Sequence, residues 1–296
     1  VNGGGFLNTE HAVLTTGRTE LDGAGNLQNY RVEQGKVSIE GKGLDGKSAD
    51  SVSILARTID VNAGVWANKL NTRTGQNNID AKNLKATALD LSSTETKPTI
   101  GLDVAAVGGM YANHITMVGT EAGVGVNLNG IVAGTQSVSV DANGHLSVNG
   151  TLQSDTSLVA KANSIQNTKT IASGGDLGLE TKELTNTGHI TSAKNGHVKV
   201  EETLTNNNTI AAGANTQGAL TGNGSLSIEA GTVRNTDAVI VSGGTTTINS
   251  KEVHNIENGR IYGGKVAIQT KVLENRKNVA LESKLDAAMA DMKAAE

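Results

Sequence analysis

The residues "LTNTGHI" at 184–190 return as "LTNNNTI" at 204–210, with Leu, Thr, Asn and the closing Ile in the same places. Aligning the rest of the carboxyl-terminal half on that asparagine finds Asn167 in "IQNTKTI", Asn186, Asn206, Asn235 in "VRNTDAV", Asn255 in "VHNIENGRI" and Asn275 in "LENRKNV". The intervals are 19, 20, 29, 20 and 20 residues. An aliphatic residue stands two places before each asparagine: Ile165, Leu184, Leu204, Val233, Val253 and Leu273. Between the asparagines, Leu177/Leu179, Val198/Val200, Leu226/Ile228 and Val266/Ile268 alternate with period two, and Ile248 stands alone in its repeat. Period-two alternation predicts short strands. The long interval is explained by "GANTQGALTGNG" at 213–224, which reads as a loop inserted into one repeat. Gly174-Gly175, Asn195-Gly196, Gly243-Gly244 and Gly263-Gly264 separate the strands and predict turns with positive φ.

A unit of about 20 residues with short strands cannot bury its own apolar side. Stacking solves this, because each strand then pairs with the strands before and after it and the aliphatic residues line a common interior. The reading is an all-β fold, a parallel β-helix. Equivalent positions in such a stack lie about 4.8 Å apart. At that distance one side-chain amide reaches the next, so the asparagines are expected to form a buried ladder. The alternative is that they are surface turn residues. The aliphatic residue kept at minus two favours the ladder.

Composition agrees with a narrow interior. Aromatic residues are 2% of the 296-residue chain, and there are 37 Gly and one Pro. A broad globular core would draw on Phe, Tyr and Trp. The net charge is -4 with the signs interspersed, so no basic nucleic-acid groove or membrane patch is indicated. Cysteine is absent, which excludes disulfides and thiolate metal sites. No run of 18 apolar residues predicts a membrane-spanning helix, and no signal peptide is recognised. The opening "VNGGGFLNT" without Met reads as a processed protein or an excised fragment.

The first half alternates less regularly, in "KVSIEG" (36–41), "VSILARTIDVNAGVW" (52–66), "NNIDAKNLKATALDLSS" (77–93) and "HLSVNGTLQ" (145–153). The last residues, "ESKLDAAMADMKAAE", change composition. They predict a short helix with Leu285, Met289 and Met292 on one side, a cap or fragment end. The expected layout is β-helix over 1–145, β-helix repeats over 146–280 and a helical tail over 281–296.

Three blocks resemble a known family. "NGGGFLNTEHAVLTTG" (2–17), "LARTIDVNAGVWANKLNTRTG" (55–75) and "LDVAAVGGMYANHITMVGTEAGVGV" (102–126) are similar to the secretion domain of two-partner-secretion exoproteins. These are the filamentous-haemagglutinin-like adhesins and contact-dependent inhibition proteins of Gram-negative bacteria. Residues 146–280 resemble the haemagglutinin repeats that follow that domain. The resemblance implies a right-handed β-helix, secreted or on the cell surface. It also implies export through an outer-membrane β-barrel transporter carrying POTRA modules. A receptor on a host or neighbouring cell is a further implied partner. The family's earlier Asn-Pro-Asn-type motifs are not in this sequence, and Val1 and Gly4 stand where many relatives have cysteines.

Chemistry-bearing constellations are weak. The six His, at 11, 114, 145, 189, 197 and 254, lack zinc-site spacing, although His189 and His197 can share a coil. "GAGNLQ" (23–28) departs from a dinucleotide fingerprint at its last Gly. No cofactor is expected. A polysaccharide-cleaving β-helix would need paired carboxylates and aromatic platforms. Here Asp103, Asp141 and Asp155 are dispersed, and Trp66 and Tyr111 read as packing residues. The remaining readings are an adhesin, for which loop 213–224 is the candidate contact, and a rigid spacer of about 14 coils, about 65–70 Å long.

Overall fold

One coil shows how the sequence is used. Thr170–Ser173, Asp176–Thr181 and Glu183–Asn186 form three short strands, which define a first, second and third face. They pair in parallel with the equivalent strands of the preceding coil, in Thr151–Ser154 and Ser157–Asn167. On the other side they pair with His189–Ser192 and Gly196–Asn206 of the following coil. The computed structural model describes residues 1–91 and 96–277, and over them this pattern repeats as a parallel β-solenoid of about 12 turns. At about 4.8 Å per turn the stack is about 55 Å long.

The interior consists of in-register aliphatic columns. The first face contributes Leu152, Ile171, Ile190, Ile210 and Ile240. The third contributes Leu146, Ile165, Leu184, Leu204, Val233 and Val253. One continuous buried cluster runs from Ala12 to Val253, and its buried members are Ala, Val, Leu, Ile and Met. Each residue meets its own kind one coil away, so shape complementarity follows from repetition rather than from bulky side chains.

The structure corrects the sequence reading at several points. The expected 14 coils are about 12, because part of the amino-terminal half leaves the stack. Arg18–Leu21, Leu27–Val32, Asn77–Asp80 and Ala86–Ala88 form a separate antiparallel sheet. The alternation over 77–88 therefore belongs to a side sheet rather than to a coil. That sheet lies on the second face of the first coils and has its own small core of Tyr30, Val32, Leu55 and Ile79. The expected loop at 213–224 interrupts the coil between Thr209–Ala212 and Leu226–Thr236, and it folds back through an Ala214–Leu220 bridge. The expected helix at 281–296 lies outside the described residues.

The glycine pairs serve another purpose than expected. Gly174, Gly175, Gly243 and Gly244 do not have positive φ. What they need is space. A Cβ on Gly175 would fall on the carbonyl oxygen of Thr156, and one on Gly243 on that of Gly222, each a corner residue of the preceding coil. At these corners adjacent backbones stack too closely for a side chain to lie between them.

Candidate functional site

The six asparagines stand last or next to last in the third-face strands and form one column, in register from Asn167 to Asn275. Each Nδ2 donates to the Oδ1 of the next. The distances are 2.8 Å for Asn167–Asn186, Asn186–Asn206 and Asn206–Asn235, 2.7 Å for Asn235–Asn255 and 2.8 Å for Asn255–Asn275. Asn167, Asn186, Asn206 and Asn235 are fully buried. The second amide proton binds the corner backbone. Asn186 Nδ2 donates to Gly188 O and Thr209 O, both at 3.0 Å, while its Oδ1 accepts from Gly188 N at 3.2 Å. Each amide thus satisfies the backbone groups that the chain exposes as it turns from the third face to the first.

The column has a history the sequence did not reveal. Towards the amino terminus the positions in register with Asn167 are Val148, Leu128, Val104, Val61 and Ile39, all buried. In three of those coils a corner amide sits one residue later, at Asn62, Asn129 and Asn149, where it is not buried. Asn149 Nδ2 donates to Asn129 Oδ1 at 2.9 Å, and Thr168 Oγ1 donates to Asn149 Oδ1 at 2.8 Å. The solenoid changes its corner chemistry between Val148 and Asn167.

In the amino-terminal coils, long-range polar contacts replace the ladder. Arg57 Nη2 lies 2.9 Å from Glu121 Oε1, and both side chains are largely buried. The Arg73 guanidinium is buried beneath the side sheet and donates to Leu84 O and Thr72 O, each at 2.9 Å. Burial lowers its pKa. Asp103, which looked isolated in the sequence, is in register with Asp60, whose carboxylate binds Lys36 Nζ at 2.7 Å. Burial, and then the Asp60 charge, push Asp103 up. Asp141 is in register with Lys161, on a different face from Asp103.

Trp66 and Tyr111 are not core residues. They lie in register on the outer side of the first face, with rings 6.1 Å apart and inclined by 14°. Each ring folds back over a glycine of its own strand, Gly64 or Gly109, where a Cβ would strike it. His189 and His197 share a coil but lie on its first and second faces. Among the described residues no group of three or more His, Cys, Asp or Glu is placed to hold a metal ion.

His254 is different. Its Nδ1 lies 2.8 Å from Glu274 Oε2 on the next coil, and its Nε2 lies 3.0 Å from Glu252 Oε2. Its hydrogen bonds to the carboxylates of Glu274 and then Glu252 raise its pKa above the ordinary 6.5. The same contact lowers Glu274 below its ordinary 4.5. A raised histidine stabilises the fold fully below 6.5, and that contribution is lost as pH rises through the folded pKa. A lowered carboxylate contributes fully above 4.5, and the contribution is lost as pH falls through its folded pKa. The clamp on Val272–Arg276 is therefore strongest between 4.5 and 6.5. Corrected amide-exchange protection of Val272–Arg276 should decline as pH rises past the histidine titration, and His254→Gln should remove that decline. An identical pH profile in the variant would contradict the clamp.

These features define a class: a parallel β-solenoid segment with an antiparallel side sheet on its first coils and an amide ladder in its later ones. The family follows. The model of the TPS secretion domain matches residues 1–148, and the chain belongs to this family of two-partner-secretion exoproteins. It is 39% identical over 181 residues to the "tRNA nuclease CdiA" of Escherichia coli (strain NC101), covering 61% of this chain and 5% of that protein. It is 43% identical over 155 residues to the "Toxin CdiA" of Yersinia pestis, covering 51% of this chain and 5% of that protein. The chain thus spans about one-twentieth of the length of these relatives. Among solved structures it is similar to the filamentous hemagglutinin secretion domain, with 25% identity and a TM-score of 0.48, covering 67% of this chain and 62% of that one.

Proposed function

We propose that this segment starts the export of a much longer exoprotein and forms the base of its extracellular shaft. On this reading an outer-membrane β-barrel transporter with POTRA modules recognises residues 1–145, and residues 146–280 are haemagglutinin-type repeats. The winding is right-handed, and the product is secreted or held on the bacterial surface. The observation that carries the reading is the TPS secretion domain match over residues 1–148, which continues into the ladder coils with no break in the stack. The change of corner chemistry between Val148 and Asn167 supports a boundary in that region. The nuclease and toxin names belong to proteins of which this segment matches 5%. The segment itself is proposed to present whatever lies beyond it, as an adhesive surface or a rigid spacer, and not to catalyse.

The test fuses a reporter after residue 277 and expresses it behind a signal peptide, with and without the cognate barrel. Reporter outside the cell is expected only with the barrel and only while residues 1–145 are present. Export without either would overturn the reading. Loss of cell binding on deletion of 213–224, with export unchanged, would assign the loop an adhesive role.

A further inference from the structure

The second face carries two outward columns in register over six coils, beside a shorter one of Ser137, Ser157 and Asp176. The outermost reads Asp141, Lys161, Glu180, Lys199, Glu229 and Asn249. The charge alternates at every coil from Asp141 to Glu229. Beside it runs a column of mostly small residues: Ser139, Val159, Gly178, His197, Ser227 and Thr247. The side sheet buries the equivalents in the first coils, Ser53, Leu55, Asn71 and Arg73. From Ser137 onward the face is not buried beneath it, and Val159 is 52% exposed.

We infer that this face is self-complementary and docks a second copy of the chain, antiparallel, about a two-fold axis that runs along the strands between Glu180 and Lys199. Such an axis brings each long column against itself in reverse order. Glu180 then faces the partner's Lys199, and Lys161 faces the partner's Glu229, with the reciprocal pairs generated by symmetry. The same axis sets His197, the one ring in the middle column, against the partner's Gly178, the one residue there without a side chain. Val159 meets the partner's Ser227. An axis one coil nearer the amino terminus would still pair charges, but it would put His197 against Ser139 and Glu229 against Val118. Charge and shape therefore select the same axis.

Within its own stack the column gains little from its alternation. Lys161 Nζ and Glu180 Oε1 are 3.5 Å apart, and both side chains are more than half exposed. Such a pair is screened and contributes little to stability, so the charges remain available to a partner. Two columns over six coils and the shorter one over three give about 500 Å² per copy, at the small end of specific interfaces. The dimer is accordingly weak and salt-sensitive. Antiparallel docking suits copies that project from two facing surfaces. That consequence rests on the surface display proposed above, whereas the docking itself does not.

The test uses the purified chain in sedimentation equilibrium at low salt. Glu180→Lys/Glu229→Lys leaves lysine at four successive coils, and Lys161→Glu/Lys199→Glu makes the same four coils acidic. The wild type should dimerise. Each variant alone should associate at least about tenfold more weakly, and an equimolar mixture of the two should regain association. Circular dichroism confirms that the variants, altered only at exposed positions, remain folded. Mixing Glu180→Cys with Lys199→Cys under oxidation should give the mixed disulfide in excess over either homodimer. A monomeric wild type, variants that self-associate like the wild type, or a folded mixture that fails to associate would each overturn the proposal. Predominant cross-linking of Glu180→Cys to a second copy of itself would refute the antiparallel axis.

Discussion

Asn186→Asp, which exchanges one NH₂ for an oxygen, should open the stack around that coil. The Asn186 Nδ2 donates to Asn206 Oδ1, Gly188 O and Thr209 O, at 2.8, 3.0 and 3.0 Å. Aspartate turns that donor into an acceptor facing three oxygens, in a site with no solvent access. An uncompensated buried charge of this kind costs about 3–5 kcal/mol. Protonation offsets part of the cost but supplies one donor where the amide supplied two. The aspartate's folded pKa is thus pushed up, and the variant should regain stability as pH falls through that value. Asn149→Asp is the control. Asn149 also donates to an asparagine one coil away, Asn129 at 2.9 Å, but it does so where solvent can replace the lost bond, so the expected loss is about 1 kcal/mol or less. Urea unfolding of both variants beside the wild type gives the comparison. An Asn186→Asp midpoint no lower than that of Asn149→Asp would show that the column is not held by its amides.

The contrast between these two positions explains what the sequence could and could not reveal. In the carboxyl-terminal half the repeat unit is itself the structural unit. Aliphatic at minus two, asparagine, then aliphatic at plus four is one corner of one coil, and Leu184-x-Asn186-x-x-x-Ile190 stacks directly on Leu204-x-Asn206-x-x-x-Ile210. Periodicity was therefore enough to place these residues on faces. In the amino-terminal half the corner column is Ile39, Val61, Val104, Leu128 and Val148, so the column itself carries no polar mark and an asparagine follows it in only some coils. The spacing there is broken by two excursions into the side sheet, at 18–32 and 77–88. Alternation looks the same in a strand that joins a coil and in one that leaves it, because both have one buried side. The glycine pairs misled for a related reason. Sequence shows that a side chain is missing, but not whether the backbone needed an unusual φ or the neighbouring coil needed the space. Asp103 and Asp60 are adjacent only through register, which a single sequence does not state.

Leu204→Asp should interrupt export at a definable point. Leu204 is fully buried on the third face, in register between Leu184 and Val233. A carboxylate there has aliphatic neighbours in register on both sides. Burying it unpaired costs roughly 3–5 kcal/mol, in addition to the lost packing of the leucine. In a globular domain that cost would be spread through one cooperative unit. In a solenoid each coil is held mainly by its two neighbours, so the damage stays local and growth must start again beyond it. If extracellular stacking is what opposes backsliding, coils before residue 204 fold outside as usual, while later coils lose the template that draws them out. The expected product is a surface-anchored intermediate, protease-resistant up to the coil before Leu204 and sensitive after it, with little free full-length chain. Thr205→Asp tests the same coil from its outer side, since Thr205 is not buried and its neighbours in register are Thr185 and Arg234. It should export normally. Normal export of Leu204→Asp, with the purified variant confirmed to be destabilised, would separate the stability of the stack from the force that moves the chain.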